Sequence, residues 1–315
     1  LGQPFKVDDS SATLGSVTLA EDRLSNASSS SRGLDSQSRS HISQQPLPRL
    51  MGKLKSTLVW QYHVVSDSGS PVRGLPSLTP GYLGALPRFD LYGLATVSHS
   101  DPFIQANTGE LCVQLAMATR PNTSPVRIMA QLVHASNDVA EDCSQQLLQQ
   151  MRENQIYFLI RFPHPGYFKL QIYALPQHEV GDSLPSVYNY LLEATQAHRG
   201  RVSLAAVPFP TQFAQWKEGC YLHQPIDGLL TRPTSVAGAG TNNDSITFAV
   251  TVPRARSMAA VVGDEWTHLE LQGDRWNGRV PMRKHWGREP SLALCANYRD
   301  SDSNYVTLLE YTLGR

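Results

Sequence analysis

Cys220, His268 and Asp274 occur in the chain order of a thiol nucleophile, an imidazole that takes its proton and a carboxylate that orients the imidazole. A catalytic thiolate of this kind is held at a helix N-terminus, where the dipole lowers its pKa. Cys220 is instead followed by YLHQPIDG, in which Pro225 and Gly228 leave no helix of useful length. The expectation is a strand cysteine and an edge histidine, with no catalytic residue. Cys143 precedes a stretch with helix-compatible spacing, yet it is centred in a polar run without a placed histidine, so it too is read as non-catalytic.

Metal and phosphate chemistry give equally little. The ten histidines are scattered, with no CxxC, HxxxH or HExxH spacing, and they fall at expected strand ends or in loops, so no metal ligand is assigned. The glycine-rich VAGAGTNN (236–243) lacks the Lys-Ser/Thr and the following helix of a phosphate-binding loop. It reads as a turn, and no cofactor is expected.

The elements that position these residues begin with composition. Lys+Arg and Asp+Glu both total 27 in 315 residues, so the chain lacks the basic excess that phosphate backbones demand. Nucleic acid is not an expected partner. A hydrophobic share of 41% suffices for sizeable cores. No apolar run approaches the roughly 18 residues of a membrane span, and no basic segment plus apolar stretch opens the chain, so it reads as soluble, unsecreted and without a membrane partner.

Twelve serines between Ser10 and Ser43, with few large apolar residues, cannot offset the entropy of ordering, and residues 1–50 are expected to be disordered. PLPRLMGKLK (46–55) reads as a linker and TLVWQYHVV (57–65) as a strand. From about residue 86 onward, short apolar segments separated by turn residues give the grammar of β-sandwiches: ELCVQLAM, VRIMAQLVH, IYFLIRF, FKLQIYA and VYNYLLEA. Residues 139–152 fit a short helix or a strand equally well. Trp266 and Trp276 are assigned to the core, and Trp216 to an interdomain contact.

The second half repeats the first. LQIYA followed by YLLEA matches LALCA followed by TLLEY, and LCVQLAM with VRIMAQLVH matches ITFAVTV with SMAAVVGDEWTHLE. This predicts an all-β chain of two tandem immunoglobulin-like β-sandwiches, at 86–196 and 205–315. The turn Pro163–Gly166, closed by Tyr167, is the corner by which such sandwiches enter their penultimate strand. The inter-sheet disulfide of secreted immunoglobulin domains has no basis here, because FKLQIYA offers Cys112 no partner and ITFAVTV offers none to Cys295. The four cysteines are expected to be reduced, in a reducing compartment.

PSLTPGYL, FDLYGL, IRFPHPGYFKLQIYALPQHEVGDSLPSVYNYLLEA, FPTQFAQWKEGCYLHQP and FAVTVPRARSMAAVVGDEWTHLELQGDRWNGRV together resemble the repeat region of the kyphoscoliosis peptidase and hillarin family. The resemblance covers about 76–315. In that family a transglutaminase-like core precedes repeated immunoglobulin-like modules. The resemblance implies an intracellular, cytoskeleton-associated chain whose repeats bind protein, and it makes 51–85 a linker or the tail of such a core. The family's core carries a Cys at a helix start, then His and Asp on strands, and residues 1–75 match none of them. The expected function is therefore a non-catalytic tandem module for protein–protein interaction, cytoplasmic, with a cytoskeletal partner implied and no oligomeric state assigned. The competing reading is the C-terminal, substrate-positioning part of a transglutaminase-like peptidase or pseudoenzyme whose catalytic core is absent from this chain. An extracellular adhesion array is disfavoured by the missing disulfides.

Overall fold

A computed structural model describes residues 83–118, 125–136, 139–179, 184–200, 206–232, 244–299 and 304–314. The Ser-rich segment, the strand expected at 57–65 and the turn at 236–243 lie outside these residues.

The first half contains β1 (Gly84–Ala85), β2 (Leu94–Thr96), β3 (Phe103–Ala106), β4 (Glu110–Met117), β5 (Val126–Ser136), β6 (Val139–Asp142), β7 (Leu147–Arg152), β8 (Gln155–Arg161), β9 (Gly166–Pro176) and β10 (Ser186–Ala194). One short helix, α1 (Pro87–Leu91), starts on a proline that presets the helical φ. One sheet runs β1-β10-β9-β5-β6 with β3 also on β10, and the other runs β2-β4-β8-β7. Alternation along each strand turns one set of side chains inward. Val113, Leu115, Ile156 and Phe158 from the second sheet meet Leu132, Leu170, Ile172 and Tyr190 from the first in one core.

The second half contains β11 (Thr211–Gln212), β12 (Tyr221–Gln224), β13 (Leu229–Leu230), β14 (Ser245–Thr251), β15 (Ser257–Val262), β16 (Glu265–Gln272), β17 (Arg275–Pro281), β18 (Ser291–Asn297) and β19 (Val306–Leu313). They form one continuous sheet, β11-β19-β18-β15-β16-β17-β14-β12, with β13 also on β19. It doubles over because β16 changes partner along its length: residues 265–269 pair with β15 and residues 270–272 with β17. Phe248, Val250 and Trp276 from one limb thereby pack with Met258, Leu294, Leu309 and Tyr311 from the other.

The two halves share one wiring. β4 pairs β8 as β14 pairs β17, and β5-β9-β10 is repeated as β15-β18-β19. Even the short strands correspond, since β3 joins β10 and β13 joins β19 in parallel. The chain is thus two tandem immunoglobulin-like sandwiches, as the sequence repeat predicts. Residues 139–152 resolve to strand, with one 3₁₀ turn at Ser144–Gln146 between β6 and β7. Leu147 and Leu148 lie opposite Ile160 and Leu159 of β8, so sheet pairing overrides the apolar spacing that suits a helix.

Candidate functional site

The thiol of Cys220 is buried in the second core and lies 3.7 Å from the Gln215 carbonyl, to which it donates. Burial first, then the Glu218 carboxylate, pushes its pKa up to about 12. Cys143 is pushed up to about 11 by burial, with Glu141 adding to the effect. Burial also raises Cys112 and Cys295, and all four thiols are unpaired. A thiol that keeps its proton at neutral pH is a weak nucleophile. Nor are the triad-like residues assembled. The Cys220 thiol is buried in the second core, whereas His268 is exposed on the part of β16 that pairs with β15, its ring beside Tyr305.

Polar chemistry concentrates instead where the halves meet. β7 is the edge of its sheet, and an open edge presents unpaired backbone groups. The segment from Phe209 to Leu222 covers it. Gln212 Oε1 accepts from the Gln149 N–H at 2.9 Å, while Gln212 Nε2 donates to the Leu147 carbonyl at 2.8 Å. Gln150 Oε1 accepts from the Leu222 N–H at 3.0 Å, and the Met151 N–H donates to the Cys220 carbonyl at 2.8 Å. Trp216, fully buried, donates its indole N–H to the Gln149 carbonyl at 2.8 Å. The interdomain placement expected for Trp216 is what the structure shows.

Arg161 clamps the same junction. It is buried, pairs with Glu110 at 2.9 Å and with Asp227 at 2.8 Å, and donates to the Val207 carbonyl at 3.2 Å. Its guanidinium carbon lies 4.4 Å from the centroid of the Phe209 ring. One buried cation therefore ties β4, β8 and the connection between the halves. Neither Arg161 nor the Gln149–Gln150 pair carries a sequence signal, because their partners are dozens of residues away.

Trp266 is a correction. Assigned to the core from its size, it is 47% exposed, whereas Trp276 is buried as expected. The cause is the strand that carries it. Each part of β16 pairs on one side only, so β16 is an edge in both limbs of the doubled sheet, and of its eight residues only Leu269 is buried. The indole packs edge-on against Tyr305 at 5.0 Å, and the Tyr305 hydroxyl lies 2.8 Å from Ser257 Oγ. His268 flanks the same ring at 6.2 Å, and Leu271, farther along the strand, is 54% exposed. Glu265 at the strand start pairs with Lys284 and, at 3.4 Å, with His285. An anchored aromatic beside an open backbone edge, with charges at the rim, is the layout of a protein-docking strand.

Residues 81–204 match the family model described as the KY-like, immunoglobulin-like domain, so this segment carries that domain. Over 146 residues the chain is 26% identical to kyphoscoliosis peptidase of Mus musculus, a match that takes in 46% of this chain and 20% of that protein. The chain thus spans about a fifth of the length of this relative. Among solved structures, a three-domain immunoglobulin fragment of titin is 6% identical, covering 67% of this chain and 61% of its own, with a TM-score of 0.19. A calcium-stabilised adhesin of an Antarctic bacterium that binds ice is 10% identical, covering 80% and 55%, with a TM-score of 0.20. No helix among the described residues is long and apolar enough to cross a membrane.

Proposed function

We propose that this chain, whose residues 81–204 carry a KY-like immunoglobulin-like domain, is a non-catalytic tandem module that binds another protein. Its two domains span 86–196 and 205–315, and its setting is cytoplasmic and cytoskeleton-associated, as in the family it resembles. The observation that carries the reading is Trp266, a large aromatic held by Tyr305 on an open edge instead of in the core. Aromatic anchors of this kind supply much of the free energy of protein interfaces, and an unpaired strand edge adds main-chain hydrogen bonds to an incoming strand. The fixed junction at β7 complements this edge, because two sandwiches locked together present it in one orientation.

The test is a pair of assays on the purified chain. Amine incorporation and peptide cleavage stay at background. A partner captured by the intact chain is held equally well by Cys220→Ala and loses about 2 kcal/mol or more, roughly thirtyfold in affinity, with Trp266→Ala. Turnover abolished by Cys220→Ala or Cys143→Ala overturns the reading.

A second reading rests on the relative's identity as a peptidase and on the fifth of its length that is matched. In it the chain is the C-terminal part of a transglutaminase-like peptidase or pseudoenzyme and positions a substrate for a core outside this sequence. It predicts that the protein captured at β16 is cleaved or cross-linked when such a core is attached.

A further inference from the structure

His134 of β5 and Glu141 of β6 are directly opposed cross-strand partners, and His164 comes from the corner between β8 and β9. Residues far apart in the chain are thus gathered at one end of the first sandwich, where one ligand atom from each of the three lies within 4.8 Å of the others.

The His134 ring is fixed from several sides. It stands edge-on to His164 with centroids 4.2 Å apart and lies 4.8 Å from Phe168. Gly166, with a φ of 148°, leaves the space that the ring needs, since a Cβ there would come within 3.0 Å of His134 Nε2. Yet His134 Nδ1 is buried and has no hydrogen-bond partner. Glu141 Oε2 faces it at 3.7 Å, an ion-pair separation that is too long for a hydrogen bond. A buried ring nitrogen without a partner is costly unless something else meets it. The neighbouring carboxylate at Asp142 is engaged otherwise, accepting from the Ser144 N–H and hydroxyl.

We propose that His134, Glu141 and His164 form a binding site for a zinc-like divalent cation that staples the β5–β6 hairpin to the corner entering β9. Two imidazoles and one carboxylate are the donor set of borderline metals such as zinc, whereas magnesium and calcium take oxygen ligands throughout. A tetrahedral zinc with bonds of about 2.0–2.1 Å holds its ligands about 3.4 Å apart. His134 is the fixed ligand, its side chain only 12% exposed, and its Nδ1 already stands 3.7 Å from Oε2 of Glu141, whose side chain is 63% exposed. Water takes the fourth position on the solvent side. The ion meets the orphaned Nδ1 and adds a cross-link between the β5–β6 hairpin and the corner entering β9.

The experiment is calorimetric titration of the full chain, stripped with chelator, with zinc chloride, alongside His164→Ala and Glu141→Gln. Both substitutions are of side chains outside the cores, and circular dichroism confirms that each variant is folded. The expected result is one equivalent bound by the parent chain, about tenfold or more weaker in each variant, with a zinc-dependent rise in melting temperature that both variants lose. Cobalt substituted for zinc gives the visible absorption of a four-coordinate ion in the parent alone. Zinc binding of unchanged affinity in both variants, binding that disappears on alkylation of the thiols, or the absence of any binding overturns the proposal.

Discussion

The indole N–H of Trp216 donates to the backbone carbonyl of Gln149 at 2.8 Å, a contact between the segment that opens the second sandwich and the edge strand that closes the first. Because both groups are buried, the bond satisfies a donor and an acceptor that water cannot reach. Trp216→Ala removes a large buried side chain and leaves the carbonyl unmet. It is expected to cost about 3–5 kcal/mol and to split a single cooperative urea transition into two, one for each half. Fluorescence and circular dichroism followed together give the two midpoints. A single unshifted transition contradicts a junction that couples the halves.

Arg161 makes a sharper prediction because its partners are unlike it. The guanidinium is buried, while the side chains of Glu110 and Asp227 are about half exposed. Removing both carboxylates, Glu110→Ala with Asp227→Ala, strands a buried charge and is expected to cost about 3–5 kcal/mol. Arg161→Met leaves two carboxylates that water can solvate and keeps most of the packing on Phe209, so it is expected to cost clearly less. Denaturant midpoints of the two variants decide, and the opposite order refutes the clamp.

Alkaline pH probes Cys220. Its pKa stands at about 12 in the folded chain against an ordinary 9.0, because burial disfavours the thiolate. The folded state therefore holds this proton more tightly than the unfolded one. The resulting stability is fully present below pH 9 and is lost as pH rises through about 12, at up to about 1.4 kcal/mol per pH unit in that window. Cys220→Ala is expected to flatten this fall by one proton's worth. An unchanged slope between pH 9 and pH 12 means that the thiol is not buried as described.

How far the sequence disclosed this depends on whether a feature is local. The pairs LQIYA/YLLEA and LALCA/TLLEY are adjacent strands in both halves, with Leu170 opposite Tyr190 and Leu294 opposite Leu309, so alternation alone exposed the repeat. Lys169 shows where alternation weakens. It points away from Leu170 yet is largely buried, because β9 is a central strand and Val133 and Leu191 flank the lysine on either side. Trp266 fails in the opposite sense, since residue size predicts burial and cannot report that β16 is an edge in both limbs. His134, Glu141 and His164 carry no spacing motif at all, because strand register and a corner turn bring them together.

The claim that β16 is a docking edge is tested most directly by photo-crosslinking in cells that express the full chain. A benzophenone amino acid replaces Trp266 in one experiment and the exposed Arg88 of α1 in another. Discrete protein adducts are expected from position 266, at least tenfold more abundant than those from position 88, and are lost when His268→Lys places a charge beside Trp266 on the same edge. Equal adducts from both positions, or adducts at 266 that survive His268→Lys, contradict the docking edge.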